Sequence, residues 1–388
     1  MRNIHCLNNI SKKGTDVLPE NYQLTNNIED AAGVLVRSAS MHDMEFPSCL
    51  RAIARAGAGT NNIPLDKCAE EGIVVFNTPG ANANAVKELV LCGMLLASRG
   101  VIAGNAWCAE NAASATIAKD AEKAKKAFSG REIAGKTLGV VGLGAIGALV
   151  ANAAIALGMN VLGFDPYVSA KSAWRLSPKV KHIENLNDLM VKSDFVTIHV
   201  PAMPTTIGMI GAEQLACVPC GCAVLNFSRD SLVDAPAMTS ALESEKVACY
   251  VTDFATPEVM QMKNTIVLPH LGASTVEAEE NCAVMAANEL VDYLDNGNIT
   301  NSVNYPACNM GPAPESGGRI AVLHSNIPDM LSKITGVFGE VGANIENLTN
   351  KARENAAYTM LDLTNPASQE LLARLSSIDG VYRVRTVK

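Results

Sequence analysis

The sequence predicts an α/β protein of three units: a doubly wound parallel sheet, a discontinuous flavodoxin-like unit that flanks it in the chain, and a C-terminal ferredoxin-like βαββαβ unit. Three observations carry this reading. Between Gly130 and His270, short continuous apolar runs alternate with helical patterns, as strands do when a sheet is buried on both faces. One of those runs ends in the glycine triplet Gly142, Gly144 and Gly147, which opens a helical pattern. After a stretch rich in Pro and Gly at 305–318, the pattern starts afresh.

In chain order, the spacing predicts strands at Ala32–Val36, Gly72–Phe76, Thr137–Gly142, Asn160–Phe164, Phe195–His199, Ala223–Asn226, Ala248–Asp253 and Thr265–Leu268. Two long helical stretches, Ala83–Ser98 and Val276–Asp295, read as crossings between domains. They make the first unit discontinuous, residues 1–90 and 274–304 around a central unit at 91–273. Residues 305–318 have a linker composition. Beyond them, strands at Ile320–His324, near Asn344–Thr349, at Ala357–Leu363 and at Val381–Val387, with helices opening at Pro328-Asp329 and over Ser368–Ser377, give a separate small domain at 319–388.

Composition excludes some classes of function. A chain of 388 residues, 48% hydrophobic, buries ample core. Its net charge of -8 argues against non-specific binding to nucleic acid or anionic membranes, so basic groups that meet an anionic substrate must be placed locally. The start, Met1-Arg-Asn-Ile-His-Cys-Leu, has no apolar core of signal-peptide type. The longest apolar run, Leu89–Ala97, falls short of the roughly 20 residues of a spanning helix. The expectation is a soluble, cytoplasmic protein. The eleven cysteines lack disulfide-framework spacing. Cys217-Val-Pro-Cys220-Gly-Cys222 could hold zinc only with a second pair, which does not recur, so no metal is expected.

The glycine loop carries the most specific signal. Gly142 permits a tight turn, Gly144 lets backbone approach a pyrophosphate, and Gly147 lets helix and strand pack closely. Ala145 and Ile146 begin the helix, whose N-terminal N–H groups face the phosphates. Asp165 ends the next strand roughly 20 residues on, where a carboxylate meets ribose hydroxyls and repels a 2′-phosphate. The reading is NAD rather than NADP.

Hydride transfer from an alcohol needs a base for the hydroxyl proton and a cation for the substrate's anionic group. His270 follows the apolar strand ending in Leu268-Pro269, and strand C-termini face the ligand crevice. Glu258, past the strand ending at Asp253, could orient the imidazole. Arg229, past Ala223–Asn226, offers a planar fork for a carboxylate. Each alone could equally be a solvated loop residue; three at successive strand ends of one unit are harder to dismiss.

These motifs resemble those of the D-isomer-specific 2-hydroxyacid dehydrogenases, and within them the phosphoglycerate branch. The likeness runs through Val36-Arg37-Ser38, Arg55-Ala-Gly57-Ala-Gly59-Thr-Asn61-Asn, Asn77-Thr-Pro, the glycine loop, Asn226-Phe-Ser-Arg229, Val233-Asp234, Thr252-Asp253-Phe and Pro269-His-Leu-Gly-Ala-Ser-Thr275. It implies that His270 is the general acid/base, Glu258 its partner and Arg229 the substrate-orienting cation. It places Asp253 at the nicotinamide carboxamide and Pro201 at the cofactor. It assigns Arg37, Ser38, Gly57, Ala58, Gly59 and Asn61 to the substrate pocket, with Arg55 for the phosphate. The implied reaction is NAD-dependent oxidation of 3-phosphoglycerate to 3-phosphohydroxypyruvate, the entry to serine synthesis, in a homo-oligomer. Asp230-Ser231 stand where the family usually has glycines, and the segment from Glu258 to His270 is short.

The C-terminal unit resembles an ACT domain, a small-molecule sensor. By that likeness His324, Asn326 and Asn344 are the candidates for holding an L-serine effector at an interface between two such domains; as plain residues, Asn326 could cap a helix and Asn344 a turn. The alternatives are a glycerate or hydroxypyruvate reductase of the same fold, which the ACT-like unit and the His-Leu-Gly-Ala-Ser-Thr run argue against, and a non-enzymatic NAD-sensing co-regulator, which would not require Arg229, Glu258 and His270 together.

Overall fold

A computed structural model describes residues 1–387. Its contacts divide the chain into two compact units, one at 83–278 and one made of 1–82 with the chain from 279 onward. The first of these contains a seven-stranded sheet in the order Thr265–Val267, Val247–Thr252, Cys222–Asn226, Phe195–Ile198, Thr137–Val141, Asn160–Phe164, Lys181–His182. Every pairing is parallel. The order reverses between Thr137–Val141 and Phe195–Ile198, so the chain leaves these two neighbours toward opposite edges and opens a crevice at their C-terminal ends. Both faces are dry: Val141, Val196 and Val224 sit in one core, Leu138, Val140 and Leu225 in the other. The helix Ala83–Ser98 lies on the second core, where Gly93 has room for no side chain larger than hydrogen without pushing on Leu225 and Phe227.

The other unit has two sheets. Five parallel strands run in the order Tyr22–Thr25, Arg2–Cys6, Gly33–Val36, Ala52–Arg55, Val74–Phe76. Alternation sorts their side chains: Leu35, Ala54 and Phe76 face one core, Val34, Ile53 and Val75 the other. The long helix Val276–Asn296 lays Ala286, Leu290 and Tyr293 into the first of these cores. The second sheet is antiparallel, in the order Ile345–Arg353, Ala356–Leu363, Gly318–Ser325, Val381–Thr386. Ile320, Val322 and Leu361 pack under the helices Met330–Glu340 and Gln369–Ser376.

Four strands were not legible in the pattern. Arg2–Cys6 and Tyr22–Thr25 each bury one residue, so they show no apolar run; Lys181–His182 buries none; Ala52–Arg55 is short and rich in alanine. The predicted strands and helices otherwise form within a few residues of their expected ends.

Residues 305–318 and the terminal sheet pack into the same unit as the strands at 2–76. Ala321, Leu323, Tyr358 and Met360, on the face away from the two terminal helices, share one core with Phe76, Tyr293 and Tyr305. Tyr305 is fully buried and donates its hydroxyl to the Ala69 carbonyl at 2.6 Å. Arg319, 1% exposed, pairs bidentately with Asp362 at 2.6 and 2.9 Å and donates to the carbonyls of Asn296 and Gly311. Residues 305–318 therefore form a strap whose backbone oxygens solvate a buried guanidinium. Composition reads such a stretch as a linker because its polar groups are main-chain ones.

Candidate active site

The glycine turn lies at the crevice predicted by strand order. Gly142 takes φ +92°, and a Cβ there would stand 2.6 Å from the His199 carbonyl oxygen. A Cβ on Gly147 would run into the Gly142 carbonyl, whereas one on Gly144 would meet nothing. The turn is thus closed toward the protein and open toward a ligand, and Gly144 caps the helix Ala145–Ala156. Asp165 is held by two backbone donors: Leu143 N–H to Oδ2 at 2.8 Å and Tyr167 N–H to Oδ1 at 2.9 Å. This ties the acid to the turn and leaves further lone pairs on each oxygen.

A cavity of about 470 Å³ joins Gly142, Gly144, Asp165, Tyr167, His199 and Pro201. It is mostly apolar-walled, as an adenosine site should be. His199 was not anticipated as a site residue. Burial pushes its imidazole down to about 3, so it is neutral; Nε2 meets Thr197 Oγ1 at 2.9 Å. Its sequence signal was its place at the end of the strand beside the glycine turn. These residues fit a dinucleotide: open space at Gly144, helix N–H groups beside it, and a carboxylate at the end of the next strand.

Asp253, Arg229 and His270 gather at the ends of adjoining strands in the same unit. Asp253 Oδ2 accepts the Gly272 N–H at 2.8 Å, and Oδ1 is buried with no partner among the described residues. Burial raises the Asp253 carboxyl, opposed by the Gly272 hydrogen bond and by the charges of His270 and Arg229. His270 has φ +50° and gives its N–H to Asp253 O at 2.9 Å, an αL turn that aims the imidazole off the strand. The ring stands edge-on to Phe254, centroids 5.2 Å apart. Arg229 is exposed and donates to its own neighbour, Ser228 O, at 2.5 Å. Asp230 and Ser231 enter a 3₁₀ turn with no positive φ, so the loop needs no glycine there. Glu258 lines a small cavity of about 190 Å³ with Asp230, Ser231, Tyr250 and Phe254. Among the described residues, no hydrogen bond or ion pair joins it to His270.

The other unit gathers the remaining pocket candidates at the C-terminal ends of Gly33–Val36 and Ala52–Arg55. Asn8, not anticipated, accepts the Arg37 N–H at 2.9 Å and donates to Ser38 Oγ at 2.9 Å. Arg55 Nε donates to Arg37 O at 3.0 Å. Gly57 takes φ +149°, and its Cα lies so close to the Arg55 guanidinium that a side chain would displace it. The loop is tied by Asn77 Nδ2 to Ala58 O, Thr78 N–H to Gly57 O, and His42 Nε2 against Asn61 O. Gly59 follows in the same loop.

In the terminal sheet, His324 is buried and both ring nitrogens are engaged, Nδ1 with Ser325 O and Nε2 with Thr359 Oγ1, each at 2.8 Å. Asn326 is exposed and donates to Glu354 O; Asn344, also exposed, donates to Thr364 Oγ1. His324 pairs with Ala357 at one end of the sheet, and Asn344 precedes Ile345, which pairs with Leu363 at the other. One chain does not bring the three together.

The sequence profile of the D-isomer specific 2-hydroxyacid dehydrogenase NAD binding domain matches residues 91–272. The D-3-phosphoglycerate dehydrogenase of Escherichia coli (strain K12) is 32% identical over 381 residues, 94% of this chain and 88% of that one. The chain belongs to the D-isomer-specific 2-hydroxyacid dehydrogenase family. The D-3-phosphoglycerate dehydrogenase of Methanocaldococcus jannaschii is 35% identical over 293 residues, 73% of this chain and 54% of its own length. Among solved structures, NAD+-bound 3-phosphoglycerate dehydrogenase of Entamoeba histolytica shares the fold at TM-score 0.60 and 24% identity, over 78% of this chain and 98% of that one. A D-2-hydroxyisocaproate dehydrogenase superposes at TM-score 0.64 with 22% identity, over 78% of this chain and 100% of its own. Residues 91–272 are thus the NAD-binding domain of a 2-hydroxyacid dehydrogenase, and the turn at Gly142–Gly147 lies within it. Among the described residues, no single helix is long and apolar enough to cross a membrane.

Proposed function

We propose that this dehydrogenase oxidises 3-phospho-D-glycerate to 3-phosphohydroxypyruvate with NAD, the first step of serine synthesis. The observation that carries this is the identity with D-3-phosphoglycerate dehydrogenases over nearly the whole chain. NAD, when bound, accepts the substrate's C2 hydrogen as hydride. His270 takes the C2 hydroxyl proton, and Arg229 holds the carboxylate and polarises the oxygen. Glu258 orients the imidazole; such hydrogen bonds often close only with substrate present. Asp253, beside Arg229 and His270, holds the Gly272 turn and presents Oδ1 to the nicotinamide carboxamide. Arg37 and Arg55, on one loop cluster, supply the local positive charge that an acidic protein needs to bind a phosphorylated acid. Ser38, Ala58, Gly59 and Asn61 complete the wall. Asp165 favours NAD over NADP by repelling a 2′-phosphate.

The terminal βαββαβ unit is an ACT domain in this reading, with L-serine as effector. Asn326 and Asn344 offer exposed amides at opposite ends of the sheet, so a serine site built from both needs two copies of the chain. His324 supports the strand end from within. A homo-oligomer is further supported by the helix Val101–Glu110, which buries no residue and leaves Val101 and Ile102 more than half exposed.

The deciding experiment is an NAD-coupled assay with 3-phosphoglycerate, repeated with glycerate and with added L-serine. NADH formation with the phosphorylated substrate alone is the expected result. Turnover confined to unphosphorylated hydroxyacids would make the protein a reductase of the same fold, and indifference to L-serine would remove the effector.

A further inference from the structure

Arg37 is fixed at three points. Asn8 holds its N–H, Arg55 holds its carbonyl, and Glu279 on the long helix holds its guanidinium, Oε1 to Nη2 at 2.6 Å. The first two fix the backbone; only Glu279 fixes the side chain. Both partners of this ion pair are about two-fifths exposed, and a pair so wetted contributes little to folding. Its consequence is orientation. Glu279 engages one nitrogen, and among the described residues Nη1 and Nε of Arg37 have no acceptor. One edge of the fork is clamped and the other is presented.

Charge points the same way. Arg37 and Arg55 meet at the ends of neighbouring strands, and the buried Cys282 thiol, on the same long helix as Glu279, feels the charges of Arg55, Arg37 and Glu279 together. Without a ligand, the carboxylate balances the charge of Arg37. With an anion bound, it stays on the far edge of Arg37.

We propose that Glu279 is a positioning residue for substrate binding: it holds Arg37 in the one rotamer that presents a bidentate edge to the substrate's anionic group. This rests on the reading that Arg37 meets that group. Freezing a long side chain in advance spares the substrate that ordering, an effect of several-fold in affinity.

The test is steady-state kinetics with 3-phosphoglycerate on Glu279→Ala, Glu279→Gln and Glu279→Asp, with NADH affinity followed by fluorescence. Glu279→Ala should raise KM about three- to tenfold, with kcat within about twofold and NADH affinity unchanged. Glu279→Asp should recover part of the loss. In an Arg37→Met background, Glu279→Ala should add nothing, because its effect passes through Arg37. An unchanged KM in Glu279→Ala, a full additional penalty in the Arg37→Met background, or a matching fall in NADH affinity would each overturn the proposal. If the wild-type protein does not turn over 3-phosphoglycerate, the functional reading fails separately. Calorimetry with inorganic phosphate then decides the positioning role, which stands only if Glu279→Ala weakens that binding.

Discussion

At the scale of single residues, the site divides by what each side chain is asked to do. His270 and Arg229 stand at strand ends of the NAD-binding unit and are exposed, as groups that exchange protons or grip a ligand must be. Replacing either by alanine should cut turnover by at least about a hundredfold, since general-base catalysis and charge-assisted binding are each of that order. NAD should still bind, because the glycine turn and Asp165 are untouched; fluorescence titration checks this, and near-normal turnover would remove the residue from the site. Asp165→Asn should weaken NAD and relax discrimination against NADP, read from kcat/KM with the two cofactors. Glu289 is a different case. It is nearly buried, accepts from Asn301 Nδ2 at 2.5 Å, and its second oxygen has no partner among the described residues. Burial pushes its carboxyl up to about 7. The folded state therefore holds its proton more tightly than the unfolded chain does. Its contribution to stability is fully present below pH ~4.5 and is lost as pH rises through 7. Glu289→Gln should gain about 3 kcal/mol over wild type at pH 8 and nothing at pH 4, measured by urea unfolding at both. Equal gains at both values would show that the charge is not the cause.

At the scale of elements, the long helix Val276–Asn296 links the substrate loops to the terminal sheet. Its early turns carry Glu279 and Cys282 toward Arg37 and Arg55. Its last carbonyls, Tyr293 O and Leu294 O, accept from the Arg385 guanidinium, and Asn296 O accepts from Arg319. Two buried arginines of the terminal sheet thus cap the helix: Leu294 O and Asn296 O depend on them, while Tyr293 O also accepts the Gly297 N–H. Arg385→Met should keep the packing volume and leave the Leu294 carbonyl unpaired, at a cost of about 1–3 kcal/mol. A shift in urea midpoint with unchanged slope measures it; no shift would mean water replaces the guanidinium. In the glycine turn, Gly147→Val forces a Cβ into the Gly142 carbonyl and should abolish NAD binding even where the fold survives.

At the scale of the whole chain, the terminal unit and the strands at 2–76 share one core. A chain ended at residue 304 would expose the face of Phe76, Tyr293 and Leu290 that Leu323, Tyr358 and Met360 now cover. It should be poorly soluble or melt far below the full protein, despite retaining every proposed catalytic residue. A soluble, active truncated enzyme of near-normal stability would show that the shared core is dispensable. The composition of 305–318 suggested the opposite, because Pro and Gly mark breaks in periodicity whether the segment is solvated or strapped down.

Periodic and local features were readable from sequence: the parallel strands with their apolar runs, the glycine turn, the βαββαβ order, and the strand-end positions of Arg229, Asp253 and His270. Each depends on the chemistry of a few neighbouring residues, and neighbours in sequence carry that information. What only the tertiary structure decided was set by partners distant in the chain. Arg2–Cys6 is an inner strand because strands at 22–25 and 33–36 flank it, although it buries only Ile4. Arg319 is buried because Asp362 and the carbonyls of 296 and 311 receive it. Arg37 meets Glu279 across 242 positions of sequence. The physical reason is the same in each case: an arginine or a polar strand carries no mark of its fate until the groups that satisfy its hydrogen bonds are brought beside it.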